Sequence, residues 1–470
     1  MRGSLVALVV FFAFVGRASA GGPYMLVGAA DDGSESASYA TSKLQMDMAK
    51  LAGLDAIRLT ETWRTGETSL DATDQLELDN AVDAAQFTGI RVILSLYPYG
   101  SSVTPLTATA RTDFADWVVG IAKRYPLVHD FIIGNEPNLN RFWMPQFGPN
   151  GQDVAAPAYE ELLATTYDAL KAVRPHSTIY GGALAPRGVD KPNTGRDTHS
   201  PTAFITDMGA AYRASGREIP IMNAFAIHPY PENSSIGPDF PHPNSTPIGI
   251  ADYDKLVTLL GDAFDGTAQP GSSLPILYDE FGIETQIPAA KAALYTGTEP
   301  KTTHPVSEAT QAQYYEQAMA MSFCQKTVLG LLLFHVEDEK PLAGWQSGVY
   351  YVDGTPKASL GPVRNAAGEV HRGVIAACPG MQLTPKLTLK PGTPTAAGLP
   401  VKLTCSLDCS YTVRLDGQAT LTGTSSGSVT TTIVFAGKPA PGKHSLAGVA
   451  TATTNTGPPA SVTVPFTVRS

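Results

Sequence analysis

The chain has 470 residues, 43% of them hydrophobic and 16% charged, which is enough for a large core and a second folding unit. Its net charge of −10 is uneven: residues 381–470 hold seven Lys/Arg against two Asp/Glu (+5), and the remainder carries 26 against 41 (−15). An acidic main part argues against nucleic acid or an anionic membrane as a partner, and past the N-terminus no run approaches the ~18 apolar residues of a membrane span.

In chain order, residues 1–20 come first: Arg2, an apolar Leu5–Val15 run and a small-residue Ala18-Ser19-Ala20 end. That is the pattern of a secretory signal peptide, so export and an extracellular location are expected, with a mature chain starting near Gly21. Short apolar β-type runs follow at 24–29, 54–60, 90–96, 127–134, 177–184, 221–227, 274–280 and 327–335. Helical patterns lie between and after them, near 38–52, 73–88, 108–124, 156–173, 201–215, 252–264, 307–325 and 357–377. In the fourth, Tyr159, Leu162, Leu163, Tyr167, Leu170 and Val173 recur at steps of three and four, one face of a helix. Eight alternations predict an α/β (β/α)8 TIM barrel over 21–380, with a doubly wound sheet as the competing topology. From 383 to 470 the chain turns Thr/Ser/Val/Gly-rich with period-two alternation, predicting an all-β, Ig-like sandwich of six or seven strands. That segment has no Trp and three aromatic residues, Tyr411, Phe435 and Phe466. It reads as a spacer or a surface-attachment module rather than a sugar-stacking one.

Four cysteines suit an oxidising compartment and admit three pairings. Cys405 and Cys409, four apart, close a small loop, which leaves Cys324 for Cys378. No C-x-x-C spacing or His cluster marks a metal site, and no cofactor is expected.

In a barrel the chemistry sits where strands end. The fourth run, "FIIGNEPN", delivers Asn135 and Glu136 with no basic residue beside them, and the seventh, "LPILYDEFG", delivers Glu280. Two carboxylates facing each other across a barrel mouth serve acid–base or nucleophilic work on a glycosidic bond. The sixth run ends in "AIHPYP", placing His228 beside Glu136 and the Tyr230 hydroxyl beside Glu280. Arg58 on the second run is placed to keep Glu280 ionised, and Asn135 to meet a sugar hydroxyl. Trp63, Tyr99, Trp143 and Trp345 are candidate sugar-stacking walls.

These residues together resemble the clan A retaining glycoside hydrolases: Asn-Glu after strand four, Glu at strand seven, His-x-Tyr after strand six and Arg on strand two. "NEPNLNRFW" (135–143) is most similar to the family thirty-nine β-xylosidases, and the likeness spans roughly residues 24–375. It implies an enzyme, a secreted O-glycosyl hydrolase cleaving β-type bonds of an oligo- or polysaccharide by double displacement. Glu136 would be its acid/base and Glu280 its nucleophile. Three positions depart from the pattern and leave the sugar open. Gly134 stands where many relatives have Trp, strand three ends in Tyr97 rather than His, and strand eight ends in Phe334-His335 rather than Trp. Trp345 is the expected substitute floor. The rival reading is a non-catalytic carbohydrate-binding protein on the same barrel.

Overall fold

The computed structural model describes residues 21–469; the expected signal peptide at 1–20 lies outside them. The first quarter of the chain is β1 (Leu26–Ala30), α1 (Tyr39–Leu51), β2 (Ala56–Trp63) and α2 (Ala72–Thr88). Next come β3 (Arg91–Pro98), α3 (Ala108–Arg124), β4 (Asp130–Ile133) and α4 (Ala155–Val173). They are followed by β5 (Thr178–Leu184), α5 (Pro201–Ser215), β6 (Ala224–Ile227) and α6 (Tyr253–Phe264). The last units are β7 (Ile276–Phe281), α7 (Glu308–Cys324), β8 (Val328–Leu333) and α8 (Leu360–Arg372). All neighbouring strands pair in parallel, and β1 also pairs with β8, aligning Val27 with Leu331. The sheet therefore closes into a (β/α)8 barrel, which removes the doubly wound alternative.

Period-two alternation divides the strand residues between two cores. Inside the barrel, Ala56, Ile93, Ile132, Ala224, Ala226, Leu277 and Leu332 pack with Tyr180. The opposite strand faces join the helices in a larger layer that includes Leu59, Phe131, Ile133, Phe225 and Leu331. The inward layer near the strands' N-terminal ends is mostly apolar, with Asp130 at the start of β4 as a buried exception that accepts from the Tyr180 hydroxyl (3.1 Å). β4 starts at Asp130 rather than near 127, because Val128 N donates to Tyr125 O (3.0 Å) and closes a turn first.

Beyond α8 the chain forms two antiparallel sheets. Strands β9 (Leu387–Pro391), β10 (Gly398–Cys405) and β13 (Thr430–Ala436) make one, in the order β13-β10-β9. Strands β11 (Cys409–Leu415), β12 (Ala419–Ser425), β14 (Gly442–Ala452) and β15 (Ala460–Val468) make the other, in the order β12-β11-β14-β15. Their inward residues, among them Leu399, Val401, Leu403, Val413 and Leu446, form a separate core. Leu383, Leu407 and Ala452 instead join the barrel's helical layer. Asn455 ties the two parts, accepting from Cys378 N and donating to Ala376 O, both at 2.7 Å. The disulfides are Cys324–Cys378 and Cys405–Cys409, the pairing reached from spacing.

Candidate active site

The site draws on five strands, with Arg58 and Ser95 from within β2 and β3 and the other groups from the ends of β4, β6 and β7. Glu136 follows β4 through a sharp turn in which Gly134 has φ +97° and Glu136 itself φ +43°. A left-handed backbone at a non-glycine residue stores about 1–3 kcal/mol of strain, held in place by surrounding structure. Here Glu136 N donates to Ala183 O (2.8 Å). Asn138 locks the same turn, donating from Nδ2 to His199 O (2.9 Å) and accepting at Oδ1 from Ala185 N (2.9 Å). A Cβ on Gly134 would lie 2.7 Å from Cε2 of Tyr159. The Tyr159 hydroxyl donates to Ile133 O (2.5 Å) and accepts from Gly182 N (2.8 Å). The departure at Gly134 thus has a local cause: a ring from α4 occupies the space a side chain would need.

Glu280 lies at the end of β7 and is 9% exposed. The guanidinium of Arg58 contacts its Oε1, and the Tyr230 hydroxyl donates to Oε2 at 2.8 Å. Arg58, 3% exposed, spends its other amino group on Ser95 Oγ (3.0 Å) and Asn135 Oδ1 (2.9 Å). His228, fully buried, places Nδ1 3.1 Å from Glu136 Oε1 and 3.4 Å from Glu280 Oε2. Those two distances cap the gap between the nearest oxygens of the carboxylates at about 6.5 Å. The far nitrogen of His228, Nε2, is 3.2 Å from Asp279 Oδ2.

Burial works against charge at each of these groups, and their neighbours reverse it. For Glu280 burial raises the carboxyl, but the His228 and Arg58 charges and the hydrogen bonds of Arg58 and Tyr230 hold it below its ordinary value. For His228 burial lowers the imidazolium, while Glu280 and Asp279 lift it to about 10. The two acids that flank the ring, Glu280 at Nδ1 and Asp279 at Nε2, thus favour the imidazolium against burial. Burial pushes the Tyr230 hydroxyl well up, so it stays a donor to Glu280.

The other expected residues divide. Trp345 is half-buried and lies over Tyr230, with ring centroids 4.8 Å apart at 32°, and meets Phe334 edge-on at 5.3 Å. Tyr97 packs edge-on against Phe142 at the mouth, its hydroxyl pushed up by burial. His335 makes no contact with the carboxylate pair: Nδ1 faces Ala30 O (2.7 Å) and Nε2 faces Glu339 (3.2 Å). Tyr99 is 55% exposed and stacks under Arg64 (4.1 Å). Two expectations fail. Trp63 (0% exposed) and Trp143 (1%) are core residues, edge-on to Phe114 and Tyr159, and are not walls of an open groove.

Sequence reasoning missed Asp279, Ser95 and a carboxylate cluster beside β2. Strict alternation turns Asp279 away from the face that Glu280 occupies. A register shift between Tyr278 and Phe281 accompanies the arrangement in which both acids reach His228. Ser95 had a readable signal, a single serine amid the aliphatic residues of "RVILSLYP". Glu61, 6% exposed, is raised to about 8 by burial and then by Asp74, Asp32, Glu77 and Asp71. A carboxyl raised in the fold carries no penalty below its unfolded value near 4.5 and a growing one up to about 8. Glu61→Gln is therefore expected to match wild type near pH 4 and to be roughly 2–4 kcal/mol more stable near pH 9, as read from thermal melts at both. Among the described residues no cluster of three or more His, Cys, Asp or Glu is placed to hold a metal ion, and no helix is long and apolar enough to cross a membrane.

No family model and no curated protein sequence matches the chain. In fold, it is similar to a family 39 glycoside hydrolase from the gut symbiont Bacteroides cellulosilyticus WH2. That similarity has 15% identity and a TM-score of 0.51, covering 94% of this chain and 81% of that one. It is also similar to a glucosidase from Croceicoccus marinus, with 11% identity and a TM-score of 0.50 over 89% and 95% of the two chains. Likeness at these identities establishes a shared architecture: the chain is a (β/α)8 barrel joined to an all-β sandwich.

Proposed function

We propose that this protein is a secreted retaining glycoside hydrolase that cleaves β-type O-glycosidic bonds of an oligo- or polysaccharide. The observation that carries the reading is the pair Glu136–Glu280 at the ends of β4 and β7, bridged by His228 Nδ1. Its cap of about 6.5 Å leaves little room for the separation of ~6.5–9.5 Å that an inverting route needs to fit a water, and accommodates the ~5–5.5 Å of a retaining one. The two proteins of similar fold are described as a glycoside hydrolase and a glucosidase, which agrees with that chemistry.

Glu280, held ionised by Arg58, His228 and Tyr230, is the nucleophile. Glu136, with a more open side chain (17% against 12%), is the acid and then the base. In the first step Glu136 gives its proton to the glycosidic oxygen, the bond from the anomeric carbon to that oxygen breaks, and a Glu280 oxygen bonds the same carbon. In the second, Glu136 takes a proton from water as the water oxygen attacks that carbon and the ester to Glu280 breaks. Asn135, whose Oδ1 is taken by Arg58, offers its amide N–H groups to a sugar hydroxyl, and the ring of Trp345 is the wall against which a sugar packs. Neither a metal nor a cofactor enters these steps. The reading includes export through residues 1–20, which agrees with two disulfides, and a division into a barrel (21–380) and a sandwich (383–470).

The test is a panel of aryl glycosides and polysaccharides, with NMR of the first product released. A β anomer from a β substrate is expected. An α anomer first would overturn the retaining route, and no release from any substrate would favour the carbohydrate-binding alternative.

A further inference from the structure

The three-stranded sheet of the sandwich leaves one face open, and its chemistry is specific. On β9 and β10, Lys390 is paired directly with Lys402, and Thr388 with Thr404; on the next strand Thr432 sits opposite Lys402. Lys386, just before β9, lies on the same side and is exposed, as are Lys390 and Lys402. The reverse side, with Leu387, Leu389, Val401 and Leu403, is the sandwich core, so the lysine side has nowhere to turn but outward.

Like charges directly opposite each other on a sheet destabilise the pairing. A threonine at either position would remove the repulsion in a strand already rich in threonine. No carboxylate relieves it: β9, β10 and β13 contain no Asp or Glu. Among the described residues, the salt bridges of the two sandwich acids are Asp408 with Arg372 and Asp416 with His444, away from this face. Apart from Val434, which is 49% exposed, and the half-buried Pro400 paired with it, the open face presents hydroxyls and ammonium groups without an aromatic ring. It therefore lacks a platform for stacking a neutral sugar and the bulky apolar groups that enter a lipid layer.

We propose that this face binds an anionic polysaccharide bearing carboxylates, with Lys386, Lys390 and Lys402 meeting the charges and the interleaved threonines the hydroxyls. Charge distribution fixes which end of the molecule meets such a polymer. Residues 381–470 carry a net +5 and the remainder −15, so a polyanion repels the barrel and attracts the sandwich. The inference stands on the sandwich alone and does not depend on what the barrel cleaves.

The test uses the full chain on immobilised polygalacturonate, neutral xylan, and vesicles of phosphatidylcholine with phosphatidylserine. Retention on polygalacturonate is expected, falling as salt is raised because exposed charges are screened. Lys390→Thr with Lys402→Thr is expected to weaken it roughly 10-fold or more, while the melting temperature stays level or rises as the repulsion goes. Lys438→Thr with Lys443→Thr, elsewhere on the sandwich, should leave retention unchanged. Glu280→Gln should also bind normally, which separates this inference from the catalytic one. Equal retention by the Lys390/Lys402 variant, an equal loss in the Lys438/Lys443 variant, stronger retention on xylan or vesicles, or a lowered melting temperature in the Lys390/Lys402 variant would overturn the proposal.

Discussion

Glu280→Gln is expected to lower kcat/KM by ~10³-fold or more for every leaving group, because the step that forms the glycosyl ester loses its nucleophile. The amide keeps the shape of the carboxylate, still accepts at its oxygen, and leaves Arg58 and His228 with Asp279 as their remaining counter-charge. Glu136→Gln should behave differently. On substrates with poor leaving groups the loss should be ~10²–10⁴-fold, the usual contribution of a positioned acid. On aryl glycosides that leave without protonation it should be far smaller for the first step, with the ester accumulating because no base activates water. Steady-state kinetics over leaving groups of graded acidity check both. A Glu280 variant with wild-type turnover, or a Glu136 variant with the same loss on every substrate, would remove the assigned roles.

Arg58→Met carries the largest expected cost in stability, about 3–5 kcal/mol, because it takes one of two counter-charges, with its hydrogen bond, from a buried carboxylate. It also strips Ser95 Oγ and Asn135 Oδ1 of their donor. The pH dependence has a definite sign. Glu280 titrates below its ordinary value near 4.5 in the fold, so its pairing contributes stability above that pH and loses it as pH falls through the depressed value. The gap between wild type and Arg58→Met should therefore be widest from about pH 5 upward and close toward acid. Removing the guanidinium also raises the Glu280 carboxyl, so the acid limb of the kcat/KM profile should move to higher pH. Thermal melts and rate profiles across the acid range measure both shifts. A variant whose acid limb is unmoved would show that Arg58 does not tune Glu280.

Particular residues show where the sequence was legible. Arg58 sits on β2 with Thr60 and Thr62 in the alternate positions, and the period that turns Arg58 inward turns Trp63 outward. The signal that Trp63 is core was therefore present and passed over in favour of its chemistry as a sugar platform. Trp143 offered no such signal, because it lies in the loop between β4 and α4, where no period applies. Its burial follows from its edge-on packing against Tyr159. In β7, alternation from Leu277 inside the barrel turns Asp279 inward and Glu280 outward, and the register shift in the last residues of the strand accompanies the arrangement in which both reach His228.

The sequence by itself determined the order of elements, the strand ends that carry Glu136, His228, Tyr230 and Glu280, and the change of character near residue 383. These are local properties: periodicity, apolar runs and spacing persist whatever the rest of the chain does. Only the tertiary structure decided that β1 closes onto β8, that Asp279 shares the histidine, that Tyr159 fills the space beside Gly134, and that Lys390 faces Lys402. Each depends on two segments meeting at a particular register, and register is set by packing and hydrogen bonding between strands distant in sequence.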